Sequence, residues 1–157
     1  MFCNKYSHTI DDKGRMIIPT EYRDELIEQD MEISHRFYVT TNLWDPEGTK
    51  EPCLCLWPET NYRRLRDRLA GVSESSDEIR RLKRKFFSDT QSTTLDKQGR
   101  VLIDPDLKRY AGIERNVMLV GMDERIEVWN RDAWQAYMGG SQETNGSWND
   151  TLKQLGF

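Results

Sequence analysis

The residues best suited to chemistry are two arginines in a repeated setting. The stretch Thr9-Ile-Asp-Asp-Lys-Gly-Arg-Met-Ile-Ile-Pro19 returns 85 positions later as Thr94-Leu-Asp-Lys-Gln-Gly-Arg-Val-Leu-Ile-Asp104. The copies share Thr9/Thr94, Asp11/Asp96, Gly14/Gly99, Arg15/Arg100 and Ile18/Ile103. Arginine can hydrogen-bond the O6 and N7 of guanine bidentately. Lys13 and Lys97 beside the arginines suit phosphate, a contact that positions a protein on a duplex without reading it. Asp11 and Asp96 could fix the turn and aim the arginine. A single Asp-x-x-x-Arg is more economically a brace for its own turn, so the spacing alone leaves both readings open. A third reading makes Asp11 and Asp96 an acid–base pair. It is opposed by the neighbouring arginines, which would keep both carboxylates ionised. The chain also has no Gly-x-Ser-x-Gly, no Walker-type loop and no Cys–His or Ser–His partner set.

To position these residues, each copy reads as a strand, a tight polar turn, a second strand and a helix. Gly14 and Gly99 supply the positive φ that a close reversal needs. Before the first turn, Tyr6, His8 and Ile10 alternate on one side; after it, Met16-Ile-Ile is a short apolar run expected to be buried. Pro19 stops the strand and Thr20 can cap a helix to about Glu28, with Tyr22, Leu26 and Ile27 on its buried stripe. Strands follow at Arg36–Thr40 and Cys53–Trp57, separated by a Pro/Gly-containing stretch, Thr41–Pro52, read as an exposed loop. Helices are expected from Pro58, with arginines at 63, 64, 66 and 68, and from Asp77 to Phe87, with Arg80, Arg81, Lys83, Arg84 and Lys85. The second copy continues through a helix at Asp106–Tyr110 and strands at Asn116–Val120 and Arg125–Trp129.

The duplication extends beyond the turns. Cys53-Leu-Cys-Leu-Trp57 matches Arg125-Ile-Glu-Val-Trp129, now offset by 72, which leaves 13 extra residues in the first copy. The 41–52 loop is the economical place for them. Four short strands and two helices per copy bury too little surface to stand alone, so the copies should share one interleaved sheet or barrel about a pseudo-two-fold axis. The reading is of an α+β fold: a first repeat over 1–72, a basic connecting helix over 73–91, a second repeat over 92–138 and a mobile tail over 139–157. In the tail, Trp148, Leu152 and Leu155 could form one amphipathic turn.

The net charge of −4 does not advertise a nucleic-acid partner, and nine carboxylates fall between Glu21 and Glu51. That acidic surface should face away from a polyanion. No stretch approaches the ~20 apolar residues of a membrane helix. Three irregularly placed cysteines fit a reducing cytoplasm better than a disulfide framework. Cys53 and Cys55 share a strand face, but with no second pair and only His8 and His35 elsewhere they read as core rather than as metal ligands. Trp57, Tyr62, Trp129, Trp134 and Tyr137 likewise read as shared core rather than a base-stacking platform.

Residues Phe2 to Met138 closely resemble the MraZ family of bacterial transcriptional regulators, built from tandem SpoVT/AbrB-like repeats. The resemblance is carried by Met1-Phe2, Asp11-x-Lys-Gly-Arg15 with Ile18-Pro19, Asp96-x-x-Gly-Arg100 with Ile103, and Glu127-Val-Trp129 with Trp134 and Tyr137. It implies an AbrB-type swapped-hairpin core, ring-shaped homo-oligomers, and binding to short direct repeats upstream of the division and cell-wall gene cluster. It also implies that Arg15 and Arg100 contact DNA, with Asp11 and Asp96 beside them. No enzyme activity, cofactor, metal or small-molecule substrate is implied; the setting would be cytoplasmic and nucleoid-associated. The chain departs from the family pattern at Asn4, where Gly is common, at Asp104, where Pro is expected, in the long 41–52 loop, and in a tail that is extra.

With the resemblance in hand, two equivalent arginines favour a DNA reader over a brace. The basic runs at 63–68 and 80–85 read as solvated faces or ion-pair partners, including partners on a neighbouring subunit. An AbrB-type antitoxin, binding DNA while its tail neutralises a protein partner, is the alternative.

Overall fold

The computed structural model describes residues 1–29, 35–140 and 148–157. Part of the acidic 21–51 stretch, and residues 141–147 of the tail expected to be mobile, lie outside the described residues.

Eight strands and six helices appear among the described residues. The first repeat contains β1 (Lys5–Thr9), β2 (Arg15–Ile17), α1 (Thr20–Gln29), β3 (Arg36–Thr41), β4 (Leu54–Pro58) and α2 (Glu59–Ala70). Helix α3 (Asp77–Asp89) joins it to β5 (Gln91–Thr94), β6 (Arg100–Leu102), α4 (Pro105–Tyr110), β7 (Asn116–Met122), β8 (Arg125–Asn130) and α5 (Arg131–Gly139). A final helix, α6, spans Trp148–Gln154.

The sheets are interleaved. A six-stranded antiparallel sheet runs β1-β7-β8-β4-β3-β5, an order that reads the same from either end once the repeats are exchanged; β2 and β6 form a separate two-stranded ribbon. Each repeat's first strand therefore pairs with the other repeat's third: Lys5 to Thr9 oppose Val120 to Asn116, and Gln91 to Thr94 oppose Val39 to Arg36. Within the first turn the two flanking strands meet only at the bridge Ile10↔Met16. This is the swapped-hairpin arrangement, and the chain has the expected α+β architecture. Neither repeat can complete its sheet alone, because its opening strand finds its ladder partner across the pseudo-two-fold.

The register also corrects where the first copy is longer. Phe37 occupies the place of Val117, an offset of 80, whereas β4 matches β8 at 72. Five of the 13 extra residues thus fall before β3 and eight between β3 and β4. The 41–52 stretch is not an exposed loop throughout: Thr41, Asn42 and Asp45 are buried. The Asp45 carboxylate accepts the backbone N–H groups of Lys50 (2.9 Å) and Glu51 (2.6 Å), and Tyr110 donates its hydroxyl to the Asp45 carbonyl at 2.6 Å. These buried polar residues are tolerated because their donors and acceptors are matched internally.

Both faces of the six-stranded sheet are covered. Leu54 and Leu56 point with Val39, Leu119, Ile126 and Val128 into the larger core, which also takes Ile10, Met16, Ile18 and Tyr22. On the other face Cys53, Cys55, Trp57, Tyr62, Phe86 and Trp129 form a second core. Period-two alternation explains the split, since neighbouring strand residues point to opposite faces. Of the aromatic set, Trp57, Tyr62 and Trp129 are buried, while Tyr137 is 42% exposed and stacks on Trp129 at the rim.

Cys53, Cys55 and Glu127 place their ligand atoms within 4.8 Å of one another. Sequence reasoning missed Glu127 in this group because it arrives from β8, opposite Cys55 in the sheet. Both of its oxygens are engaged, by Arg125 and by the Trp129 indole. The hydrogen bond with Cys55 and burial together push the Cys53 thiol far above its ordinary range. Among the described residues the group stops at three.

Asn4 has φ +75°, a left-handed conformation that Asn adopts more readily than most non-glycine residues. That accounts for its standing where Gly is common. Asp104 caps α4 by accepting the Asp106 N–H at 2.8 Å, so its carboxylate is committed to the helix start. Helix α6 forms at the expected place, and beyond its end the chain turns at Gly156 (φ +88°), with the Phe157 N–H bonded to the Leu152 carbonyl. Its Trp148 and Leu152, and Leu155 just after it, are all exposed.

Candidate nucleic-acid interface

Each repeated turn is built around its aspartate. Asp11 accepts through one oxygen from the backbone N–H groups of Lys13 (3.0 Å) and Arg15 (2.9 Å), and through the other from Arg15 Nε at 2.7 Å. Asp96 does the same with Gln98 (2.9 Å), Arg100 (2.9 Å) and Arg100 Nε (2.8 Å). The backbone closes in parallel: the N–H of Gly14 bonds Asp11 O, and that of Gly99 bonds Asp96 O. One carboxylate thereby satisfies the turn's donors and fixes the arginine's first nitrogen.

These bonds set the acidity of the aspartates. The backbone N–H of Arg15 chiefly holds the Asp11 carboxyl below its ordinary value, and that of Arg100 does the same for Asp96. A lowered folded-state pKa stabilises the turn fully above the ordinary carboxylate pKa, and this is lost only as pH falls through the lowered value. Both groups are thus ionised at neutral pH, the wrong state for a general acid.

The ribbon β2–β6 brings the two turns together. Arg15 lies opposite Leu102, Met16 opposite Val101 and Ile17 opposite Arg100. The N–H of Ile18 donates to Gly99 O (2.9 Å) and that of Ile103 to Gly14 O (2.8 Å), so each repeat holds the other's turn glycine. Met16 and Val101 point inward and are buried. Arg15, Ile17, Arg100 and Leu102 share the outward face by alternation. The expected burial of the Met16–Ile18 run therefore fails at Ile17, which is 45% exposed. Both arginines are half-buried and anchored through Nε alone. Their terminal Nη1 and Nη2 groups make no hydrogen bond among the described residues. Lys13 and Lys97 are exposed, but not equivalent: Lys97 occupies the position of Asp12, and Lys13 that of Gln98.

Sequence reasoning missed two supports. Thr93 accepts the Leu102 N–H at 2.9 Å. Arg23 of α1 bonds Thr20 and lays its guanidinium where a side chain on Gly99 would start. The only signal for either was its closeness in sequence to a motif.

The basic helices have local partners. Arg63 pairs with Glu59 at 2.7 Å, Arg66 with Asp67 at 2.9 Å and Lys85 with Asp89 at 2.6 Å. Lys83 is not on a solvated face: it is buried, and its ammonium binds the carbonyls of Ala70 and Val72 at the end of α2.

A duplicated α+β chain with swapped opening strands and paired Asp-x-x-x-Arg turns defines the tandem-repeat AbrB-like class. A family profile described as "MraZ protein, putative antitoxin-like" matches residues 1–45 and 86–154. Proteins named "Transcriptional regulator MraZ" match over nearly their full lengths. That of Finegoldia magna is 34% identical over 155 residues, covering 99% of both chains. That of Desulfitobacterium hafniense is 33% identical over 156 residues, again 99% of both. That of Moorella thermoacetica is 34% identical over 137 residues, 87% of this chain and 86% of the other. The chain belongs to the MraZ family. The family match reaches residue 154, so the tail is shared with these relatives rather than extra. No helix among the described residues is long and apolar enough to cross a membrane.

Proposed function

We propose that this protein is a DNA-binding transcriptional regulator that reads short direct repeats in the promoter of a division and cell-wall gene cluster, as a ring-shaped homo-oligomer in the cytoplasm and nucleoid. Arg15 and Arg100 make the base contacts, Asp11 and Asp96 aim them, and Lys13 and Lys97 meet phosphates. The observation that carries this reading is the matched anchoring of the two arginines. Each is held through Nε on one outward ribbon face, with its terminal nitrogens presented for a bidentate acceptor such as guanine. The working unit is the pair of repeats, 1–72 and 92–138, joined through the basic helix at 73–91.

Because each subunit offers only two such arginines, affinity must come from linked subunits. Light scattering at micromolar concentration should give a mass several times that of the monomer; a monomer would remove the ring. Binding should also be steeply salt-dependent despite the acidic composition. Six to ten phosphate contacts across several ribbons would cost about 10³-fold or more in affinity between 50 and 200 mM salt. A gel shift series that stays flat over that range would remove the phosphate role of Lys13 and Lys97.

The antitoxin-like alternative draws on one feature, the apolar residues of α6 and the turn after it, where Trp148 is 69% and Leu155 68% exposed. Co-purification of a small toxin that is lost on truncation at Met138 would favour it.

A further inference from the structure

The outward face of the β2–β6 ribbon carries more than its arginines. Ile17 is 45% and Leu102 57% exposed, while the residues on either side of each, Met16 and Ile18, Val101 and Ile103, are almost wholly buried. Single exposed aliphatic residues need no explanation. These two are equivalent positions in the two repeats, each standing directly across the ribbon from an arginine: Leu102 from Arg15, and Ile17 from Arg100. With strands about 4.8 Å apart and alternate residues about 6.8 Å apart, the four side chains form a compact patch. Two cationic corners alternate with two apolar ones. A two-stranded ribbon fits the roughly 12 Å major groove, and its charge suits a polyanion rather than a lipid or an apolar protein face.

We propose that Ile17 and Leu102 are specificity residues that pack on the C5-methyl groups of thymines beside the guanines contacted by Arg15 and Arg100. The inference rests on the DNA-binding reading above. In the major groove the thymine methyl is the one apolar mark among hydrogen-bonding groups, and aliphatic side chains are its natural partners. Arginine alone would distinguish guanine and leave neighbouring pairs unread. An aliphatic residue across the ribbon makes the adjacent position sensitive to A·T.

The test replaces thymine by deoxyuridine, which deletes the methyl and keeps every hydrogen-bonding group. The full-length protein is titrated against duplexes carrying the protected segment of the DNA upstream of its own gene, substituted one thymine at a time. Certain positions should each weaken binding about fourfold, the factor that one buried methyl corresponds to. Ile17→Ser and Leu102→Ser should bind thymine and deoxyuridine duplexes equally at those positions, with unchanged melting temperature and oligomer mass. Equal binding of every substituted duplex by the unmodified protein would overturn the inference while leaving the DNA-binding reading intact. So would a footprint free of thymine, or serine variants that keep the methyl dependence. Serine variants with a reduced oligomer mass would show instead that the face is covered by a second copy of this chain. Failure to bind the unsubstituted duplex would count against the DNA-binding reading itself, and this inference would fall with it.

Discussion

Arg15→Ala and Arg100→Ala should each cut specific DNA binding at least tenfold while leaving the melting temperature within a few degrees of the parent. A good bidentate arginine–guanine pair discriminates by about 1–3 kcal/mol, and in a linked assembly each substitution removes that contact from every subunit at once. The cost to the fold is small by contrast. Each arginine is partly exposed and makes its ion pair through a single nitrogen, and solvent-screened pairs of this kind contribute little to stability. The backbone N–H bonds to Asp11 and Asp96 remain in both variants, so the turns keep their shape. A gel shift run beside a melting curve separates the roles. Binding lost in proportion to the folded fraction would make the arginines braces.

The second large effect concerns the turn glycines, which look interchangeable in the sequence and are not. Gly14 (φ +82°) and Gly99 (φ +78°) both sit in the left-handed region, where an L side chain costs roughly 1–2 kcal/mol. A Cβ on Gly14 would come 2.5 Å from the backbone oxygen of Ile103. Relief there requires the β6 end to move, which disturbs the bond from Ile103 N–H to Gly14 O, worth about another 1–3 kcal/mol if its partners are left unsatisfied. A Cβ on Gly99 would meet the guanidinium of Arg23 at 2.7 Å, the far end of a side chain that can swing aside. Gly14→Ala should therefore lower the melting temperature by roughly 6–12 °C, from about 3 kcal/mol in a chain of this size. Gly99→Ala should lose about half as much. Equal losses in thermal melts would show that the two turns are not packed as described.

The duplication, the turn chemistry and the secondary elements were legible because they rest on local signals: a repeated motif, glycine at the reversal, apolar alternation. The cross-repeat pairing was legible only as a need to share a core. Which strand sits beside which depends on register over more than 50 residues, and short strands with equivalent partners in either repeat do not encode it locally. The same limit explains Ile17. In Met16-Ile-Ile three apolar residues look alike, and only the pairing of β2 with β6 decides that the middle one turns outward. Lys83 was read as solvated or as an ion-pair partner; it does lie 3.7 Å from Glu74, but it is buried and held by carbonyl groups at a helix end that the sequence does not place beside it. The partly buried 41–52 loop hid its self-sufficiency in one residue, Asp45, whose carboxylate organises the backbone after it. Glu127 was read as part of a strand and of the family pattern, not as a neighbour of Cys53 and Cys55, a place that comes from pairing between the two repeats.

The most direct measurement is hydroxyl-radical footprinting of the DNA upstream of this protein's own gene, with the parent chain and with Arg15→Ala and Arg100→Ala at matched folded concentration. Protection of short stretches recurring at a regular interval, lost in both variants while their melting curves stay close to the parent's, is the predicted result. An unprotected promoter, or a pattern that survives the loss of both arginines, would contradict it.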